Sequence, residues 1–246
     1  MLIFINDLCS KRVRYYFHTP GFLLILEQPA SLRLQNVMSI WVLLSRFLAG
    51  SKAHDTITDT VLFHHIISVL SALVRLRRDL VVTTLPHLSN IMRQLIFALR
   101  SPRPILGAKQ YAIVADSLPA WINPSRPLGV EESKELSRLF TSLSAKTLVR
   151  VHGHSAEIQK PESLARPLSK HVACVLQAYL DVLNDPLCLL AADIRRELQP
   201  GLFVLCDILN DHTRDALMVS ALDVGGKAAM QGLWREYEKQ RYTGKG

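Results

Sequence analysis

The sequence lacks the usual signatures of catalysis. It contains no Gly-x-Ser-x-Gly elbow, no His-Glu-x-x-His pair and no strand-associated Gly-x-Gly-x-x-Gly. The turns that expose a nucleophile, hold zinc on one helix face or cradle a dinucleotide are therefore not written into it. Gly226 and Lys227 are followed by Ala228, and Ala221 stands where a phosphate loop opens with glycine, so that loop fails as well. Cysteine is scarce: Cys9, Cys174, Cys188 and Cys206 lie far apart with no Cys-x-x-Cys, which excludes a compact disulfide framework and fits a reducing compartment. No Asn-x-Ser/Thr acceptor occurs. Glycine and proline number only 11 and 12, too few for a largely disordered chain. Long apolar runs are missing too. The stretch Thr60 to Val74 is free of charge but carries His64 and His65 and falls short of the roughly 20 apolar residues a spanning helix needs. Met1 to Cys9 has no basic region before it and no small-residue cleavage site after it, so it reads as a piece of helix and not as a secretory signal. These absences predict a protein without a catalytic site, cofactor or metal, and without a membrane or small-molecule partner.

What is present is apolar and helical. Hydrophobic residues make up 49% of the 246 and charged residues 20%, enough for a substantial core in a single helical domain over 1–246. The net charge of +8 is uneven: residues 1–126 hold 14 Lys/Arg against 6 Asp/Glu, and residues 127–246 hold 15 of each. A basic field of this kind attracts acidic partners, of which RNA is the commonest, although a solvated face gives the same count.

Apolar spacing of three and four places Leu34, Val37, Met38, Trp41, Leu44 and Leu48 on one face of a helix over Ser31–Ala49, with Gly50 placed to end it. A second helix is predicted over Thr56–Arg78, capped by Asp55, with Val61, Leu62, Ile66, Val69, Leu70, Leu73 and Leu76 inward. Its last turn is basic, and Arg75, Arg77 and Arg78 are the candidate contacts for RNA or an acidic partner. A third helix spans Leu80–Arg100, with Pro86 in its first turn or at a kink. Clustered prolines then mark loops around a short helix over Lys109–Asp116. Helix returns over Glu131–Arg150, and the polar, aperiodic stretch Val151–Glu162 reads as a mobile loop. Further helices are expected over Leu164–Leu183, Pro186–Leu198 behind Asp185, and Leu202–Leu209 after Pro200. A last helix opens at a capping-box spacing of Ser220 and Asp223 and runs toward Tyr242. The fold expected is all-α, an irregular α-solenoid of stacked antiparallel helices of armadillo or HEAT kind, with no β-sheet. It comprises a basic helical-hairpin half, 1–126, and a second half, 127–246.

The remaining polar constellations have plain structural explanations. Glu131 and Glu132 open a helix, where they complement its dipole. His171 and Cys174 stand three apart, half a zinc site at most, and His152 and His154 lack further ligands. His64 and His65 point to different sides of their helix. The run Trp234 to Tyr242 interleaves aromatic and basic residues as a single-strand RNA platform would. Its Glu residues and the three-and-four spacing of Met230, Leu233, Trp234 and Tyr237 favour helix packing instead.

The order Arg195-Arg196-Glu197-Leu198-Gln199-Pro200-Gly201-Leu202-Phe203-Val204-Leu205-Cys206-Asp207-Ile208, then Arg214-Asp215-Ala216-Leu217-Met218, then Leu233-Trp234-Arg235-Glu236-Tyr237-Glu238-Lys239-Gln240-Arg241-Tyr242, resembles the C-terminal domain of a nucleolar pre-ribosomal RNA processing family, unhealthy ribosome biogenesis protein two, in its fungal form. The resemblance is strongest from Glu131 to Gly246. It implies a nuclear, nucleolar, non-enzymatic scaffold in assembly of the large (60S) ribosomal subunit. The implied partners are pre-60S factors, among them a DEAD-box RNA helicase, together with pre-ribosomal RNA. It carries over no functional residue. The alternative is a helical-repeat adaptor unrelated to ribosomes.

Overall fold

Wherever the apolar residues recur at helical spacing, the computed structural model, which describes residues 32–52, 57–146 and 163–243, contains a helix. In chain order these are α1 (Leu34–Phe47), α2 (Thr60–Leu76), α3 (Arg78–Val82), α4 (Leu85–Ala98), α5 (Ala108–Asp116), α6 (Val130–Ser144), α7 (Ala165–Leu168), α8 (Val172–Asn184), α9 (Ala192–Ile208), α10 (Asp211–Ala216) and α11 (Val224–Thr243), with a π-helical turn at Leu217–Ala221. The helices stack in two rows. In one, α6 lies between α2 and α9; in the other, α1, α4, α8 and α11 follow one another. A single apolar cluster runs from Leu32 to Tyr237 and includes the fully buried Trp41, Phe63 and Phe140.

Among the described residues, the contact between α6 and α9 is the most extensive of any two helices. At Gly201 a Cβ would stand 2.8 Å from both the Cα and the carbonyl oxygen of Ser137, so only glycine lets the backbones approach this far. The Gly201 amide donates to Ser137 Oγ at 2.9 Å in a buried setting. Pro200 lies one residue earlier, inside the helix. The expected break between Pro186–Leu198 and Leu202–Leu209 is therefore absent, and α9 runs through its proline because packing on α6 holds the turn together.

Other boundaries differ for local reasons. Thr58 and Asp59 are pinned to the 121–126 loop: the Thr58 hydroxyl donates to the Arg126 carbonyl and the Asp59 amide to the Trp121 carbonyl at 3.0 Å. Hence α2 begins at Thr60, capped by Asp59, whose Oδ1 accepts from the Leu62 amide at 3.0 Å. The expected cap Asp55 lies outside the described residues. Phe63, Ile67 and Val74 join the buried face, while Val61 and Leu76, expected inward, are exposed. The third helix divides into α3 and α4, with Pro86 in the first turn of α4. Helix α6 stops at Ser144 because the hydroxyls of Thr141, Ser142 and Ser144 bond back to carbonyls of their own turn, and Ala145 is extended. Lys146 follows the helix end, and Arg150 and the loop Val151–Glu162 lie outside the described residues. The stretch Leu164–Leu183 splits into α7 and α8. Asp185 does not start a helix; its Oδ1 accepts from the Leu187 amide at 2.8 Å in a turn. Of Ser220 and Asp223, only Asp223 caps α11, accepting from the Gly226 amide at 2.6 Å, while Ser220 donates to the Ala216 carbonyl.

A small sheet corrects the expectation of none. Strand β1 (Ser101–Pro102) pairs antiparallel with β2 (Cys188–Leu189), in the register Ser101 with Leu189 and Pro102 with Cys188. Two residues leave no room for the alternation by which strands are read from sequence. Gly50 also has a different task from the one expected. It bridges Pro119, and a Cβ there would lie 2.6 Å from the Asp116 carbonyl oxygen.

Gly201→Ala is expected to lower stability by about 1–3 kcal/mol through overpacking. Ser137→Ala adds no clash but leaves the buried Gly201 amide without its acceptor, and should also cost about 1–3 kcal/mol. Urea unfolding measures both, and a Gly201→Ala variant as stable as the parent would contradict the close approach.

Candidate functional site

The three arginines proposed as a contact are neighbours in sequence and separate in space. Arg75 is exposed at the end of α2. Arg77 is half-buried: its Nη2 pairs with Asp79 Oδ2 at 3.0 Å and its Nη1 donates to the Leu32 carbonyl. The hydrogen bond and charge of Arg77 hold the Asp79 carboxyl below the usual carboxylate range. Arg78 is 5% exposed, and its Nη1 donates to the Ala145 carbonyl at 2.9 Å, tying the start of α3 to the end of α6. Arg75 therefore faces solvent, Arg77 holds a turn and Arg78 holds the core.

The aromatic run of α11 packs, as its spacing indicates. Tyr237 is buried, and its hydroxyl donates to Asp207 Oδ1 of α9 at 2.9 Å. Burial first, and this hydrogen bond second, push the phenol up to about 12. Trp234 lies 5.2 Å from the Tyr237 ring, centroid to centroid, and its indole nitrogen donates to Glu238 Oε1 at 3.0 Å. Tyr242 is exposed. Between α10, the π-helical turn and α11 lies a cleft of about 480 Å³ lined by Arg214, Met218, Met230, Gln231, Trp234 and Arg235. The Arg214 guanidinium sits 4.9 Å from the Trp234 ring centre, held there by Asp211 at 2.9 Å and Asp215 at 3.2 Å. Arg, Met and Trp are the residues enriched at protein interfaces, and π-turns occur often at functional sites. Sequence reading missed Arg214 and Met218 as partners of Trp234. Their only signal is membership of the quoted run, because a contact spanning twenty residues has no helical period.

The remaining candidates are absorbed by the fold. Cys174 Sγ donates to the His171 carbonyl at 3.0 Å, so the three-residue spacing reflects a helix start. Burial pushes the Cys188 and Cys206 thiols up to about 12. Glu132 is buried: its Oε2 accepts from the Gly129 amide at 2.8 Å, closing the first turn of α6, and its Oε1 lies 3.4 Å from His64 Nε2 on α2. Among the described residues no group of three or more His, Cys, Asp or Glu is placed to hold a metal. His152 and His154 lie outside them.

Two measurements separate these roles. Arg78→Ala should cost about 1–3 kcal/mol, because a carbonyl that accepts from it loses its donor, whereas Arg75→Glu should change stability by less than about 0.5 kcal/mol. Thermal unfolding checks both. A salt-dependent RNA affinity, if present, should fall in Arg75→Glu while the melting temperature holds. Between the ordinary phenol pKa of 10 and the folded value of about 12, the unfolded chain loses the Tyr237 proton first. Stability must therefore fall as pH rises through that window. Tyr237→Phe should flatten the slope relative to the parent in urea titrations at each pH, and an unchanged slope would contradict the assignment.

The sequence profile of the Urb2/Npa2 family matches residues 22–245, nearly the whole chain. No curated protein and no solved structure matches it. The profile spans both the basic half and the half that carries the quoted runs. The Gln199-Pro200-Gly201-Leu202 run coincides with the close contact of α6 and α9, and Trp234 and Tyr237 coincide with the docking of α11. The chain belongs to the Urb2/Npa2 family and so has a role in ribosome biogenesis.

Proposed function

We propose that the chain is a non-catalytic scaffold in nucleolar assembly of the large ribosomal subunit and in pre-ribosomal RNA processing, holding other assembly factors by the ridges and clefts between its helices. One observation carries the reading: of the polar groups weighed for chemistry, Glu132 and Cys174 are spent on helix starts and His64 on its contact with Glu132. One open, interface-like surface is the cleft around Trp234. The two rows of helices are consistent with an armadillo- or HEAT-like solenoid, in which each added hairpin extends both rows. Among the described residues no helix is long and apolar enough to cross a membrane. The DEAD-box helicase implied by the resemblance is a partner of the stated kind. Direct RNA contact is a second reading, supported by the basic excess of residues 1–126 and the exposed Arg75.

Affinity purification of the protein from cells tests the scaffold. Precursor RNA of the large subunit and nucleolar assembly factors are expected to co-purify. Their absence, with a stable complex of another kind in their place, would favour an adaptor unrelated to ribosomes.

A further inference from the structure

The segment joining α4 to α6, residues 99–129, serves the proposed fold and function in an unexpected way. It is basic: Arg100, Arg103, Lys109 and Arg126 stand against Asp116 alone. It is also held in one shape. The Arg103 amide donates to the Leu187 carbonyl at 3.1 Å and its Nε to the Cys188 carbonyl at 3.0 Å, continuing the β1–β2 pairing. Arg100 donates to Ser117 Oγ at 2.6 Å, Tyr111 and Ser125 share a hydroxyl bond of 3.1 Å, and Trp121 Nε1 donates to the Phe47 carbonyl at 2.7 Å. On this fixed base two large aliphatic side chains face water: Ile105, 89% exposed, and Ile113, 62% exposed. Lys109 and Ile113 stand one turn apart on α5, and neither Lys109 nor Arg126 has an ion pair among the described residues.

We infer that this connector is a docking surface for an acidic, apolar-bearing segment of another protein, its Asp and Glu residues meeting Lys109 and Arg126 and its aliphatic residues covering Ile105 and Ile113. Charge complementarity selects the acidic partner. The isoleucines select protein over RNA, because the connector offers no free aromatic face for a base: Trp121 is buried, and Tyr111 is half-buried with its hydroxyl engaged. A surface already fixed by its own hydrogen bonds loses little conformational freedom on binding.

The inference rests on the scaffold reading, and its test keeps the two apart. A photo-crosslinking residue, p-benzoylphenylalanine, is placed at Ile105, at Ile113 or, as control, at the exposed Arg196 of the full-length protein in cells. Adducts are identified by mass spectrometry. Positions 105 and 113 are expected to join one Asp/Glu-rich segment that also carries aliphatic residues. The pair Lys109→Glu and Arg126→Glu should cut the yield about tenfold, a change on the scale of two charges at an interface rim. Adducts with RNA, adducts with a neutral or basic segment, a yield indifferent to charge reversal, or no more adduct than at position 196 would each overturn the inference. Co-purification of large-subunit precursors with the same tagged proteins reports separately on the scaffold, so either idea can fail alone.

Discussion

The architecture depends on how near α6 and α9 come to each other. A row of helices spaced by leucines tolerates substitution, because side chains repack. A row in which one backbone rests on another does not, because nothing there can give. At Ser137 and Gly201 the second condition holds, and it explains two otherwise costly choices in α9: a proline inside a helix and a glycine after it. The serine hydroxyl receives the Gly201 amide, so the backbone donor next to the proline is satisfied across the helix contact. Since α6 also carries the Glu132 side chain that reaches His64 of α2, the spacing set on one side of α6 fixes its position on the other.

The same economy governs the charged residues. A count of arginines in the first half suggests a continuous basic face, yet Arg77 and Arg78 are drawn into turns and carbonyl contacts. Buried guanidinium groups keep their charge and need their donors matched, which the chain achieves with backbone carbonyls at helix ends. Among the described residues of this half, the exposed charge is thus scattered over Arg33, Arg46, Lys52, Arg75, Arg93 and the connector. This division cannot be obtained by summing charges along the sequence.

Much of the helical content was legible because burial imposes a period: of the stripe expected on α1, Val37, Trp41, Leu44 and Leu48 prove buried, whereas Leu34 is exposed and Ile40 is buried in addition. What escaped was everything decided by a distant partner. Pro200 reads as a stop, yet the helix runs through it while the neighbouring Gly201 rests on Ser137. Asp55 reads as the cap in sequence, whereas Asp59, held by the loop at Trp121, caps the helix. Two-residue strands have no alternation to detect. The side-chain directions of Arg77 and Arg78 depend on Leu32 and Ala145, which local spacing does not reach. The packing of Trp234 and Tyr237 was legible from their interval, whereas the Arg214 cation over Trp234 was not.

The rows also set a timetable for folding. The face of α2 that α6 covers stays bare until α6 has emerged from the ribosome. The face of α6 that meets α9 waits longer still, and β1 waits for partners 86 and 88 positions downstream. Non-local closure of this sort is slow, and it leaves apolar surface open to the cell meanwhile. A protein that serves ribosome assembly is thus itself a demanding client of synthesis, since these helices depend on later ones to cover them.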